Sequence, residues 1–216
     1  MSDEGIYQTP DSNLVTNGVP ESFYSGALSA SALNWAGWLS IFYALLTIPM
    51  ILLLFIGEVF GHELSIQASY AVRVLSLGLW TYILIILNRF VVLRFNLTSL
   101  RNYIILLVGL SIVMLIFSFF RDQSEDVKSL SAVSIVYYSL TIPFGVVEIF
   151  LGRKLLSVVE PYPYLKVLAW ARIVAGICSV SVVFFLIVLP AELVADVFLA
   201  LFFFRGRREL MEAASN

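Results

Sequence analysis

Charge is what this chain has least of. Lys, Arg, Asp and Glu make up 13% of its 216 residues, about half the share found in ordinary soluble domains. The basic residues are scattered among short connections and the formal net charge is -2, so there is no basic face for DNA or RNA and nucleic acid is excluded as a partner. Histidine and cysteine occur once each, as His62 and Cys178. One histidine excludes a bis-histidine haem and a two-histidine zinc helix, and one cysteine excludes an intrachain disulfide and a Cys-x-x-Cys pair. No Gly-rich phosphate loop is present. The acid clusters that hold Mg²⁺ for phosphate-linked lipid chemistry are also missing, since Asp122, Glu125 and Asp126 fall in a connection between apolar runs. No Ser-His or Asp-Asp pair is placed for hydrolysis inside a membrane. Glu58, His62 and Glu63 lie close together, but their spacing matches no zinc or calcium pattern. No cofactor and no metal are expected.

What is abundant is apolar surface, at 60% of residues with a mean hydropathy of +0.94. The stretch from Tyr164 to Arg208 sets the class, because its two apolar runs carry only Lys166, Arg172, Glu192 and Asp196 before the terminal arginines. The first run, 167–189, has 23 residues and one charge, and about 20 apolar residues suffice to cross a hydrocarbon core of about 30 Å. Pro190 suits the first turn of a second helix. Residues 1–31 contain four acids, no Lys or Arg, and Pro10 and Pro20, which reads as a disordered tail without the basic start of a signal peptide. Further spans are expected at about 32–60, 70–92, 102–120 and 130–151, with a polar connection at 57–69. Pro49 and Pro143 are expected to bend their helices.

The number of spans follows from the basic residues. With six, Arg94, Arg101, Arg153, Lys154, Lys166, Arg205, Arg207 and Arg208 share the side of the tail, and only Arg121 and Lys128 oppose them. With five, the last three change sides and the asymmetry that membrane insertion reads is lost. The expected fold class is therefore all-α, a polytopic membrane bundle of six transmembrane helices, with five as the alternative. Its domains are a disordered cytoplasmic tail (1–31), the transmembrane domain (32–205) and a short basic cytoplasmic tail (206–216). Leu87-Asn88-Arg89, Leu151-Gly152-Arg153 and Arg205-Gly206-Arg207 close three similar hairpins, from either repetition or the shared pull of the positive-inside and aromatic-belt tendencies.

The tail segment Tyr7-Gln8-Thr9-Pro10-Asp11-Ser12-Asn13-Leu14 resembles the Tyr-x-x-Pro-x-Ser-x-Leu tail of small, multi-pass bacterial inner-membrane proteins, with Gly5-Ile6 where Asn-Pro is usual. The resemblance implies a bacterial cytoplasmic membrane and a cytoplasmic N-terminus.

Ionisable groups at membrane depth cost several kcal/mol or are paired, so they are the candidate functional residues. Glu148 and Arg172 are expected at similar cytoplasmic depth, as a pair or with Arg172 snorkelling to lipid phosphates instead. Glu192 and Asp196, spaced i, i+4 on one helical face, are expected at the outer side, with Arg73 neutralising one of them. Ala171, Ala175 and Ser179, Ala191 and Ala195, and Ser131, Ser134 and Ser139 mark close helix approaches among the last three spans. The leading functional expectation is a non-catalytic accessory, assembly or regulatory subunit whose partners are the bilayer and another membrane protein or a second copy of itself. The alternatives are a small transporter, or the substrate-binding subunit of one, that uses the intramembrane acids, and an enzyme acting on lipid.

Overall fold

The computed structural model describes residues 19–24, 26–60, 62–123, 132–181 and 185–215. A short helix, α1 (Glu21–Tyr24), precedes six long ones: α2 (Ala30–Phe60), α3 (His62–Phe95), α4 (Leu100–Gln123), α5 (Ala132–Leu156), α6 (Leu165–Val180) and α7 (Phe185–Ser215). Among the described residues there is no strand, as apolar solvent demands of any chain that cannot close a barrel. Five of the helices, α2, α3, α4, α5 and α7, are long and apolar enough to cross a membrane. The sixth, α6, has 16 residues and rises about 24 Å.

Each long helix packs on the ones before and after it, and α7 returns to pack along α2, so the six form a closed ring in chain order. Arg207 Nη1, near the end of α7, donates to Asn34 Oδ1 near the start of α2 at 3.1 Å. The chain thus begins and ends its helical ring at one end of the bundle, as an even number of passes requires.

The contiguous apolar core fills the half of the ring nearest that end. Leu33 and Ala36 of α2, Leu87 and Phe90 of α3, Leu100 and Ile104 of α4, Leu151 and Leu155 of α5, Leu165 and Leu168 of α6, and Phe202 and Phe203 of α7 are all buried in it.

Four boundaries differ from the sequence reading. The 57–69 connection is helical apart from residue 61, which is outside the described residues, because α2 runs to Phe60 and α3 starts at His62. The run 167–189 does not form one helix: α6 ends at Val180, where Ser181 takes an extended conformation with ψ 104°, and Pro190 lies inside α7 rather than at its first turn. Hydropathy is blind to this break, since both sides of it are equally apolar. The region expected as a disordered tail is structured from residue 19 in its described part, with Phe23 fully buried and Leu28 nearly so, because two large apolar side chains there reach the core. The basic C-terminal tail is a continuation of α7 to Ser215. The tail motif at 7–14, residues 124–131, and the side chains of Glu58, His62 and Glu63 lie outside the described residues.

Candidate functional site

Two clusters of charge lie inside the ring, one near its middle and one at the end where α2 starts and α7 finishes, the termini of the helical ring.

The middle cluster is built by α5, α6 and α7. Arg172, midway along α6, donates from Nη1 to Glu148 Oε1 of α5 at 3.0 Å and from Nη2 to Asp196 Oδ1 of α7 at 3.1 Å. All three side chains are buried, Arg172 at 4% exposure and Glu148 at 0%. Glycines permit this approach: a Cβ at Gly145 of α5 would lie 2.5 Å from the Gly176 carbonyl oxygen of α6, and a Cβ at Gly152 would lie 2.6 Å from the Ala169 carbonyl oxygen. With the two backbones in contact, the guanidinium reaches across α6 to both neighbours at once.

The structure therefore unites what the sequence reading kept apart. Glu148 and Arg172 meet, and Asp196, which was expected at an outer level with Glu192 and Arg73, joins them. The cause is the early end of α6. Arg172 lies eight residues from that end and Asp196 eleven residues into α7, about 12 and 17 Å along antiparallel axes, so they sit at nearly the same depth. Arg73 was expected to neutralise either Glu192 or Asp196; the cation on Asp196 is Arg172, and Arg73 lines the same cavity as Glu192.

The triad forms the floor of a cavity of about 280 Å³ that occupies the half of the ring away from the termini. All six long helices contribute to its wall: Tyr43 from α2, Arg73 and Ser76 from α3, Ser111 and Ser118 from α4, Tyr137 from α5, Arg172 from α6, and Glu192 and Asp196 from α7. Three carboxylates and two guanidiniums share this space. Glu148 Oε2 is buried and, among the described residues, has no hydrogen-bond partner, although burying a carboxylate oxygen unpaired is costly. Sequence reasoning picked out the charged groups of this wall and missed its hydroxyls. The signal was present as spacing: Ser111 and Ser118 fall i, i+7 on α4, and Arg73, Ser76 and Trp80 fall i, i+3, i+7 on α3, each a single helical stripe.

The second cluster was not foreseen. Arg94, at the end of α3, donates from Nη1 and Nη2 to the two carboxylate oxygens of Glu160 at 2.7 and 2.6 Å and from Nε to Glu209 Oε1 of α7 at 2.8 Å. Tyr162 Oη donates to Glu209 Oε2 at 3.1 Å. Phe23, Phe95 and Tyr162 surround the guanidinium at 5.9, 5.2 and 5.6 Å, in range for cation-π attraction. Burial above all, and then the neighbouring Glu209 carboxylate, raise the Tyr162 phenol above its ordinary pKa. Arg94 thus clamps α3, the α5–α6 connection and α7 together. In sequence it looks like one more arginine of a basic loop, and only the fold reveals that two acids 66 and 115 residues away converge on it.

Comparison of the chain with protein-family models, curated proteins and solved structures finds no match.

Proposed function

We propose that this protein binds a small polar solute bearing a positive charge in the intramembrane cavity and moves it across the bilayer, as a small transporter or the substrate-binding subunit of one. The observation that carries the reading is an acid-rich cavity walled by all six long helices and floored by a carboxylate with one oxygen unpartnered among the described residues. A scaffold needs its buried charges paired, but has no use for an internal polar space of this size. Ligand sites begin at about 300 Å³, which suits an amine, an amino acid or a small inorganic cation.

The test is a thermal-unfolding screen of the purified full chain against amines, amino acids and alkali cations. At least one class should raise the midpoint, and Asp196→Asn should abolish that rise. A flat screen, or a rise that survives both Asp196→Asn and Glu148→Gln, removes the cavity as the binding site.

The same proposal places the chain in a bacterial inner membrane with both termini in the cytoplasm. The bacterial membrane rests on the tail resemblance at residues 7–14; the shared side of the two helical ends is supported by the excess of Lys and Arg on one side of the spans and by the contact between the start of α2 and the end of α7.

The second reading, a non-catalytic accessory or regulatory subunit, draws on α4. This span is the least enclosed by the rest of the bundle and exposes Ile105, Leu106, Ile112 and Ile116. Purification in mild detergent should then yield a stoichiometric partner or a homo-oligomer, and a strictly solitary chain counts against it.

A further inference from the structure

A second recess, of about 290 Å³, lies on the outside of the bundle at the end that holds the termini, between the start of α2, the start of α6 and the end of α7. Three guanidiniums line it, those of Arg205, Arg207 and Arg208. Among the described residues, none of the three has a carboxylate in contact with it, whereas Arg94 at the same end is saturated by Glu160 and Glu209. Arg207 is instead fixed by the neutral Asn34 Oδ1, which orients the guanidinium without cancelling its charge. Four successive residues of α7, 205–208, thus present three positive charges in less than one and a quarter helical turns, and like charges so close repel unless an anion is shared among them.

The rest of the wall says what kind of anion. Trp38 and Tyr164 border the recess with 58% and 40% of their surface exposed, and such amphipathic rings favour the headgroup level of a bilayer. Tyr164 holds a left-handed backbone, φ 68°, an uncommon and strained conformation for a residue with a Cβ. Its ring lies against Phe198 of α7 at 6.1 Å. The remaining lining, Leu201 and Phe204, is apolar and leads along α7 toward the hydrocarbon region.

We propose that this recess is a binding site for an anionic phospholipid, with the phosphate held by Arg205, Arg207 and Arg208 and an acyl chain lying along α7. Basic recesses between helices at the membrane surface recognise such headgroups, each cation contributing on the order of 1 kcal/mol. A free phosphate ion would use the same guanidiniums but not the aromatic rim or the apolar wall, so a lipid is the occupant the whole recess fits. The site is separate from the intramembrane cavity and stands or falls independently of it.

The experiment is native mass spectrometry of the full chain in mild detergent, titrated in parallel with phosphatidylglycerol, phosphatidylcholine and inorganic phosphate. Phosphatidylglycerol should be retained preferentially, and Arg205→Gln with Arg208→Gln should weaken that retention roughly tenfold or more. Arg153→Gln with Lys154→Gln, which removes the same charge at the same end but outside the recess, should leave it unchanged. Because Arg208 is exposed, Arg208→Gln alone leaves the fold intact and should give a partial loss, which keeps the test valid if the double variant fails to fold. Equal retention of the two lipids, undiminished retention by the recess variants, equal loss from the Arg153 and Lys154 control, or full displacement of the lipid by millimolar inorganic phosphate would each overturn the proposal.

Discussion

Arg172 hydrogen-bonds one carboxylate on each side, so it holds α5 and α7 to α6 while leaving one Glu148 oxygen without a partner among the described residues. Removing the cation from such an arrangement costs far more than removing the whole arrangement, because two buried carboxylates are left facing each other. Arg172→Met should therefore lower stability by about 3–5 kcal/mol, whereas the triple replacement Glu148→Gln, Arg172→Met, Asp196→Asn should recover most of that loss. Reversible denaturant unfolding of the chain in micelles measures both. If Arg172→Met were as stable as the wild type, the carboxylates would have to be solvated from the cavity rather than held by the guanidinium. At this scale the sequence was informative in one respect and silent in another. A charge within an apolar run is visible by inspection, so Glu148, Arg172, Glu192, Asp196 and Arg73 were all found. Their pairing depends on depth, and depth depends on where each helix ends. Val180-Ser181-Val182 carries no glycine, proline or charge to mark an end, and its one serine is no different from Ser179 within the helix, so Asp196 was assigned to the wrong level.

The contact between α5 and α6 is the most extensive in the bundle, and glycine sets its distance. A Cβ at Gly176 would come within 2.5 Å of the Gly145 carbonyl oxygen, an atom of a helical backbone that cannot rotate away. Gly176→Ala should destabilise the protein by about 1–3 kcal/mol, as overpacking does. Gly109→Ala, where no atom lies within 4 Å of the added methyl, should be neutral or slightly stabilising through helix propensity. Unfolding midpoints measured side by side decide it, and equal effects at the two positions would show that the α5–α6 spacing is slack. The small-residue reading anticipated a close approach among the last three spans but named other residues for it. Ala175 and Ala195 are indeed fully buried. Ser139, by contrast, is exposed and its hydroxyl donates to its own helix at the Ile135 carbonyl, 2.7 Å away, the usual recourse of a serine facing lipid. Gly145, two residues after Pro143, reads in sequence as part of a bend, and its role as a contact point cannot be read from one helix alone, because the surface that makes it necessary belongs to another. The class of the bundle was more legible, since the long apolar runs and their basic ends sufficed to give an all-helical bundle of six long helices, though not the ring that α7 closes on α2.

Across the whole molecule the two halves of the ring are unlike. The half nearest the termini is filled by the apolar core and tied by Arg94 to Glu160 and Glu209, while the half away from them contains the polar cavity. The Glu148–Arg172–Asp196 triad lies at the boundary. On the transporter reading proposed above, water-borne solutes would reach the triad from the cavity side only, and the packed half would have to part before anything passes. Accessibility of single cysteines to a membrane-impermeant thiol reagent tests this, in a Cys178→Ala background so that the only native thiol is silent. Reagent applied on the side opposite the termini should modify Ser111→Cys and Ser76→Cys, both on the cavity wall. It should leave Leu87→Cys, within the core, untouched from either side. Adding Arg94→Gln, which removes the one cation joining α3 to both acids, should loosen the packed half, so that Leu87→Cys becomes reactive from the side of the termini. Reaction of Leu87→Cys with the clamp intact, or none at Ser111→Cys and Ser76→Cys, would mean that the asymmetry of the ring does not govern access. A solute would then have to reach the carboxylates between the helices, from the lipid.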